Sequence, residues 1–345
     1  VTLNSWPSEA KRRDLVQGVQ TGPGSAPLSG LVGEFNTGNS IARLANPKTH
    51  LRLRLGREFM YARAMTQTPR PILAIAYDFD GTLSPGSMQE HSFIPEVGEE
   101  KDAFWARVNG ESARLGADNI LIYMHEMVKA ARREGKRFRV DDIRRHGARI
   151  GFFPGVAEGW FKRLKDHGAG QGVAVQHYII SSGLKEMIAA SAIGEEFAAI
   201  FASEFKYDAN DVPEWAAAAV NYTNKTQFLF RINKGALDLS DHFEVNKYIP
   251  EDDRPVPFRN MIYIGDGDTD VPCMRTVKEQ GGISIAVHPE GDAALGDKTA
   301  KLKADRRVQF TADADYTDGS PLDTYVRAAI DKMAAVERLK ALERE

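Results

Sequence analysis

The stretch Asp78-Phe79-Asp80-Gly81-Thr82-Leu83 comes directly after six apolar residues, Ile72-Leu73-Ala74-Ile75-Ala76-Tyr77. An unbroken apolar run of this length, bounded by Pro71 and the Asp78 turn, has the pattern of a strand covered on both faces. That points to an α/β fold with a parallel sheet. Two carboxylates then leave the strand end two residues apart, at the edge where open α/β sheets bind their ligands. Acids this close repel when both are ionised. They imply a cation beside them, or one acid that stays protonated. One carboxylate can attack a phosphorus atom in line, while the other protonates the leaving oxygen and later activates water. Gly81 lets the backbone approach a ligand closely. The competing reading is an acidic turn in which Asp78 caps loop amides.

Further strand ends weigh on the choice. Val173 to Ile180 reads as a second core strand, ending on Ser181-Ser182-Gly183 and running into a helix from about Lys185. A hydroxyl and loop amides at a helix start suit a phosphate oxygen. Either serine also serves as a plain N-cap. Ala198 to Phe201 is a third short strand, and Trp215 to Tyr222 another extended piece. Thr223-Asn224-Lys225 opens a helix that stops at Lys234-Gly235. Lys225, in its first turn, projects towards a ligand. Lys234, in its last turn, is a cation favoured by the helix dipole. Met261 to Ile264 is a fourth strand, and it delivers Gly265-Asp266-Gly267-Asp268-Thr269-Asp270. A calcium loop fails here, because Val271 stands where that loop needs glycine and Val277 where it needs glutamate. Asp266 reads instead as a strand-end metal carboxylate, with Asp270 at a helix start and Pro272 in the first turn. Gly282 to Val287 and Arg307 to Thr311 complete the strands, and Pro321 to Leu342 is a long helix. Asp313, Asp315 and Asp318 read as a solvated turn.

Between the first two strands the pattern changes. From about 92 to 150 apolar residues recur at helical spacing, as in Ile120, Tyr123, Met124 and Met127. Asp118 is the expected N-cap of a helix from Asn119 to Arg133, and Gly135 its stop. A short helix is expected over Asp142 to His146. Ser84 to Glu90 is turn-rich and reads as an ordinary loop or a flap beside the acids. Arg132, Arg133, Arg137, Arg139, Arg144, Arg145 and Arg149 read mainly as a solvated face. Val156 to His167 should form a helix returning to the sheet.

The chain has 345 residues, 42% hydrophobic and 27% charged, enough for a large core in one or two domains. A net charge of −3 gives no reason to expect nucleic acid as a partner. The single cysteine, Cys273, excludes a disulfide framework and suggests a cytoplasmic compartment. No run of about 18 apolar residues occurs, so no membrane-spanning helix is expected. Residues 1–64 are Gly-, Ser-, Asn- and Pro-rich, with nine Lys or Arg against four Asp or Glu. They read as a disordered or non-native leader, or as a transit peptide. Met65 stands just ahead of the first strand, and the natural start is expected there.

In a parallel sheet these strand ends meet at one edge, which gathers four carboxylates, a hydroxyl and a lysine. Oxygen ligands with open water positions suit Mg²⁺. The chain here resembles the haloacid dehalogenase superfamily. The matching motifs are Asp78 to Leu83, Ile179-Ile180-Ser181-Ser182-Gly183, Lys225, and Gly265 to Asp270, in the family order over residues 70–312. The resemblance implies a Rossmann-like core, over residues 65–91 and 151–345, with a helical cap of the first type over 92–150. It implies that Asp78 is the nucleophile forming an aspartyl-phosphate and Asp80 the general acid/base. Ser181 and Lys225 would bind phosphate. Asp78, the Asp80 carbonyl and Asp266 would hold Mg²⁺, with Asp270, Thr82, Ser182 and Gly183 in support. The second aspartate marks a phosphatase rather than a dehalogenase. Ser181-Ser182-Gly183-Leu184 with Phe201-Ala202-Ser203-Glu204 looks like the phosphoserine phosphatase branch, although Glu90 stands in a loop unlike that branch's. The expected function is therefore Mg²⁺-dependent hydrolysis of a small-molecule phosphomonoester. The alternatives are a phosphotransferase or phosphomutase using the same intermediate, and a non-catalytic scaffold that binds a phospholigand.

Overall fold

The computed structural model describes residues 70–343, so the expectations for residues 1–64 and Met65 lie outside it. The apolar run forms the strand β1 (Ile72–Tyr77). Four helices follow it: α1 (Phe93–Glu96), α2 (Lys101–Leu115), α3 (Asn119–Arg133) and α4 (Val140–Gly147). The chain then returns through α5 (Phe161–Gly170) to β2 (Ala174–Leu184), α6 (Lys185–Ala189), β3 (Phe197–Tyr207) and β4 (Pro213–Ala218). Next come α7 (Lys225–Lys234), α8 (Phe243–Asn246), β5 (Met261–Gly265), α9 (Val271–Glu279) and β6 (Ile283–His288). The elements α10 (Ala293–Ala304), β7 (Phe310–Asp313) and α11 (Pro321–Glu343) complete the fold.

The strands form one sheet in the order β4-β3-β2-β1-β5-β6-β7. All neighbours pair parallel except β3 and β4, which are antiparallel. This is the Rossmann-like core with a helical cap inserted between β1 and β2. Successive β1 side chains enter different cores. Leu73, Ile75 and Tyr77 pack with α5 and α11 through Leu164, Val326 and Ile330. Ala74 and Ala76 pack with α7 and α9 through Leu229, Ile232, Met274 and Val277. Period-two side chains between two helical layers explain why the strand is apolar throughout. Burying Leu73 or Ile75 completely favours the fold by about 1.5–3 kcal/mol each. Among the described residues no helix is long and apolar enough to cross a membrane.

One polar chain runs through the first core. The Trp160 Nε1–H donates to the Tyr77 hydroxyl at 2.9 Å, and that hydroxyl lies 3.0 Å from His177 Nδ1. Tyr77 therefore donates to Nδ1, and Nε2 carries the proton, 3.3 Å from the Phe161 carbonyl. Burial pushes the His177 pKa down to about 3.

The insert leaves and rejoins the sheet at one place. The Phe153 N–H donates to the Leu83 carbonyl at 3.0 Å, and the Gly151 N–H to His91 Nδ1 at 3.3 Å. The other His91 nitrogen then donates to the Pro85 carbonyl at 2.9 Å.

Several boundaries differ from the sequence reading. The helix expected from Val156 is interrupted, because Glu158 and Gly159 have non-helical angles (Gly159 at φ 112°), and α5 starts at Phe161. Strand β2 continues through Ser181 to Leu184, which pairs with Ser203 of β3, and β3 runs on to Tyr207 against β4. The extended piece expected over Trp215 to Tyr222 is β4, four residues shorter at its end. The helix α4 is longer at both ends than Asp142 to His146. The last strand starts at Phe310 rather than Arg307, and it includes Asp313. In the turn that follows, Asp315 accepts from the Thr317 N–H at 2.9 Å. The helix α3 and its cap fall where expected, with Asp118 Oδ1 accepting from the Ile120 N–H at 2.8 Å.

Candidate active site

Strand register decides which side chains meet. Tyr77 is level with Ile179 of β2 and with Ile264 of β5. Asp78, Ser181 and Asp266 therefore emerge within two residues of one another, at the carboxyl edge of three adjacent strands. The Asp78 N–H donates to the Ile264 carbonyl at 3.0 Å, which extends the ladder to the acid itself. This edge lies where the strand order reverses around β1, the usual ligand position in such sheets.

Lys225 is the first residue of α7, and it is completely buried. Its Nζ donates to Asp78 Oδ2 at 2.6 Å and to Asp270 Oδ1 at 2.8 Å. Burial works against the lysine charge, but Asp270 and Asp78 outweigh it and hold the pKa above its ordinary value. Lys234, the other candidate, donates instead to the Val245 and Lys247 carbonyls at 2.8 and 2.7 Å. It fastens the loop after α7 and takes no part in the acidic cluster.

Asp270 is saturated. Its Oδ1 also accepts from the Tyr263 hydroxyl at 2.7 Å, and its Oδ2 faces the Asp266 and Gly267 N–H groups at 3.3 and 3.5 Å. Asp266 is freer, with only the Thr82 hydroxyl, at 3.4 Å, donating to its carboxylate among the described residues. Oxygens of Asp78, Asp266 and Asp270 all lie within 4.8 Å of one another. Burial, then the charges of Asp270 and Asp78, push Asp266 up to about 8. Asp78 rises to about 6, chiefly through burial and Asp270, with Lys225 opposing. Three acids with one lysine leave the cluster short of positive charge. The donor set is oxygen only, so a divalent cation fits it. Gly81 keeps this corner open: at φ +74° it takes a conformation other residues avoid, and a Cβ there would stand 2.4 Å from Asp266 Oδ2.

Asp80 is half-buried on the cap side of the strand end. Its Oδ1 accepts from the Met88 N–H at 2.8 Å. Loss of water, followed by the charge of Asp78, holds its carboxyl well above the ordinary range. Met88 then lies across the second motif. The Leu184 N–H points at its Sδ at 3.2 Å, and a Cβ on Gly183 would stand 2.0 Å from its Cε. Ser181 Oγ is buried and accepts from the Gly183 N–H at 3.0 Å, which leaves its own proton to donate. Glu90 accepts from Trp105 Nε1–H at 2.8 Å, so one of its oxygens is occupied by the cap. Most of the cap's basic residues hold acids at the surface: Arg133 with Glu99 and Glu134, Arg144 with Asp141, Arg145 with Asp142, Arg149 with Glu96.

Tyr263, Tyr123, Met88 and Asn221 belong to this neighbourhood and were missed in the sequence. Tyr263 gives one usable signal. A tyrosine inside an aliphatic strand, three residues before Asp266, needs a partner for its buried hydroxyl. Met88 and Asn221 offer none, since a loop residue's contacts depend on the fold around it.

Residues 75–275 match the haloacid dehalogenase-like hydrolase family. The chain belongs to that family. An uncharacterized protein from Borreliella burgdorferi is 29% identical over 287 residues, covering 75% of this chain and 96% of its own. A hydrolase of this family from Salmonella enterica serovar Typhi superposes with a TM-score of 0.46 at 16% identity, covering 78% of this chain and 77% of that one. A probable phosphoserine phosphatase from Vibrio cholerae superposes at 0.47 with 14% identity, covering 82% and 73%.

Proposed function

We propose that this haloacid dehalogenase-like hydrolase is a Mg²⁺-dependent phosphatase acting on a small phosphomonoester through an aspartyl-phosphate. The observation that carries the reading is the different state of two acids on one strand end. Asp78 is ion-paired with Lys225 at 2.6 Å, whereas Asp80 faces no cation at contact distance among the described residues and is held above the ordinary carboxyl range. Lys225 thus favours the charged form of Asp78, while burial favours the protonated form of Asp80, which is the division of labour a nucleophile and a general acid need.

The residues then take these roles. Asp78 attacks phosphorus as the ester oxygen leaves, and Asp80 gives that oxygen its proton. Asp80, now ionised, takes a proton from the water that attacks the phosphoryl-Asp78 bond, releasing phosphate. Lys225 steers Asp78 and faces the phosphoryl oxygens, and the Ser181 hydroxyl donates to one of them. Asp78, Asp266 and the Asp80 carbonyl would hold Mg²⁺, which when bound offsets negative charge between nucleophile and phosphate. Asp270, saturated by its own hydrogen bonds, holds Lys225 in place.

The test is phosphate release from a panel of phosphomonoesters, with wild type and Asp78→Asn each in Mg²⁺ and in EDTA. Release is expected from wild type in Mg²⁺ alone. Turnover by Asp78→Asn at the wild-type rate would remove the covalent mechanism. Phosphate transferred to added alcohols in preference to water would make the enzyme a phosphotransferase.

A further inference from the structure

We propose that Tyr123 and Asn221 are positioning residues through which the cap sets Ser181 and Lys225, an inference that rests on the phosphatase reading above. A closed ring of hydrogen bonds carries it. Tyr123, buried on α3, donates its hydroxyl to the Ser182 carbonyl at 2.7 Å. That carbonyl also accepts from Ser203 Oγ on β3 at 3.1 Å. Ser203 Oγ in turn accepts from the Val220 N–H at 3.1 Å. The next residue, Asn221, donates its Nδ2 to Asp118 Oδ2, which returns the path to the cap at the start of α3.

The ring passes beside both phosphate-side groups. Ser182 follows Ser181, so the peptide that Tyr123 grips is the one that aims the Ser181 hydroxyl. Asn221 builds the turn that delivers Lys225. Its carbonyl accepts from the Lys225 N–H at 3.0 Å, and its Oδ1 accepts from the Thr223 and Asn224 N–H groups at 2.9 and 3.0 Å. Asp118 serves two masters, because its Oδ1 caps α3 while its Oδ2 holds Asn221. A displacement of α3 therefore pulls on both ends of the ring together. The serine and the lysine reach their working positions only when the cap is seated, so turnover is tied to closure. A simpler role would be local satisfaction of buried polar groups, in which each bond matters only where it is made.

Tyr123→Phe, Asn221→Ala and the double variant separate the two, with p-nitrophenyl phosphate and Mg²⁺ as the assay. Each single variant is expected to keep the wild-type melting temperature within a few degrees and to lose about tenfold in kcat, with KM changed less than about twofold. The double variant should fall little below the worse single one, because either change opens the same ring. Amide exchange gives a readout independent of activity. Tyr123→Phe should speed exchange at residues 220–226, which the Tyr123 hydroxyl reaches through Ser182 and Ser203. Unchanged kcat in both single variants overturns the proposal, as does multiplication of the two losses in the double. Exchange faster only at 182–184 also overturns it. If wild type releases no phosphate from any ester, the phosphatase reading fails, and the exchange comparison still decides the coupling.

Discussion

Lys225 and Arg133 each face two acids, yet their settings differ completely. Lys225 is enclosed between Asp78 and Asp270, its side chain 1% exposed. Arg133, on the cap, reaches Glu99 and Glu134 with 49% of its side chain in water. Water screens the second arrangement and leaves it little net worth. The first has no water to fall back on, so each charge there depends on the others. Charge in the core is thus committed to one arrangement, whereas charge on the cap is interchangeable. The proposed binding of a dianionic phosphate and a cation calls for the committed kind.

The sharpest way to break that comparison is to remove both cations in turn. Lys225→Met should abolish phosphate release and cost about 3–5 kcal/mol in denaturant unfolding, since it leaves the buried Asp78 and Asp270 without their cation. Arg133→Met should leave both the denaturant midpoint and turnover at wild-type values. Similar losses in the two variants would erase the distinction.

A smaller effect comes from acids whose folded pKa is raised. Asp78 rises to about 6 and Asp266 to about 8, against ordinary values of 3.8. Folding favours their protonated forms, so the stability they contribute is complete below about pH 4 and is lost as pH rises to about 6 for Asp78 and to about 8 for Asp266. Without a divalent cation the protein should lose thermal stability over that window. Added Mg²⁺ should restore it, with a larger rise in melting temperature at pH 8 than at pH 5 in differential scanning fluorimetry. An equal rise at both would detach the cation from these acids.

The smallest expected effect has the opposite sign. His177 is held neutral, its pKa lowered from 6.5 to about 3. The stability it contributes is intact above pH 6.5 and falls as pH drops towards 3, at most by about 1.4 kcal/mol per pH unit. In His177→Gln the acid limb of the unfolding free energy should be shallower by that amount.

The same contrast explains what could be read in advance. Asp78, Asp80, Ser181 and Asp266 stand at strand ends, and a strand end shows in sequence as an apolar run that stops. Lys225 needed only a helix start. The parallel register then did the rest, because β1 pairs on both sides with strands of the same pattern. Lengths of β2 and β3 were underestimated, since Ser181-Ser182-Gly183 and Glu204 to Tyr207 interrupt the apolar run and are strand because of where they pair. The break at Glu158-Gly159 likewise follows from how the returning chain must turn. Tyr123 and Asn221 stand nearly a hundred positions apart, and no local pattern relates a helix face to a loop at that distance.

One stitch has an evolutionary consequence. The insert between β1 and β2 departs and returns at a single point, where the Phe153 N–H meets the Leu83 carbonyl. Such a segment is a cassette: lengthening it, shortening it or replacing it need not disturb the ladder that aligns the acids. A one-residue deletion inside β1 has no such freedom, because it would turn every side chain to the opposite face and carry Asp78 away from Lys225. The insert can therefore vary away from Asp118 and Tyr123 without moving the acids beneath it.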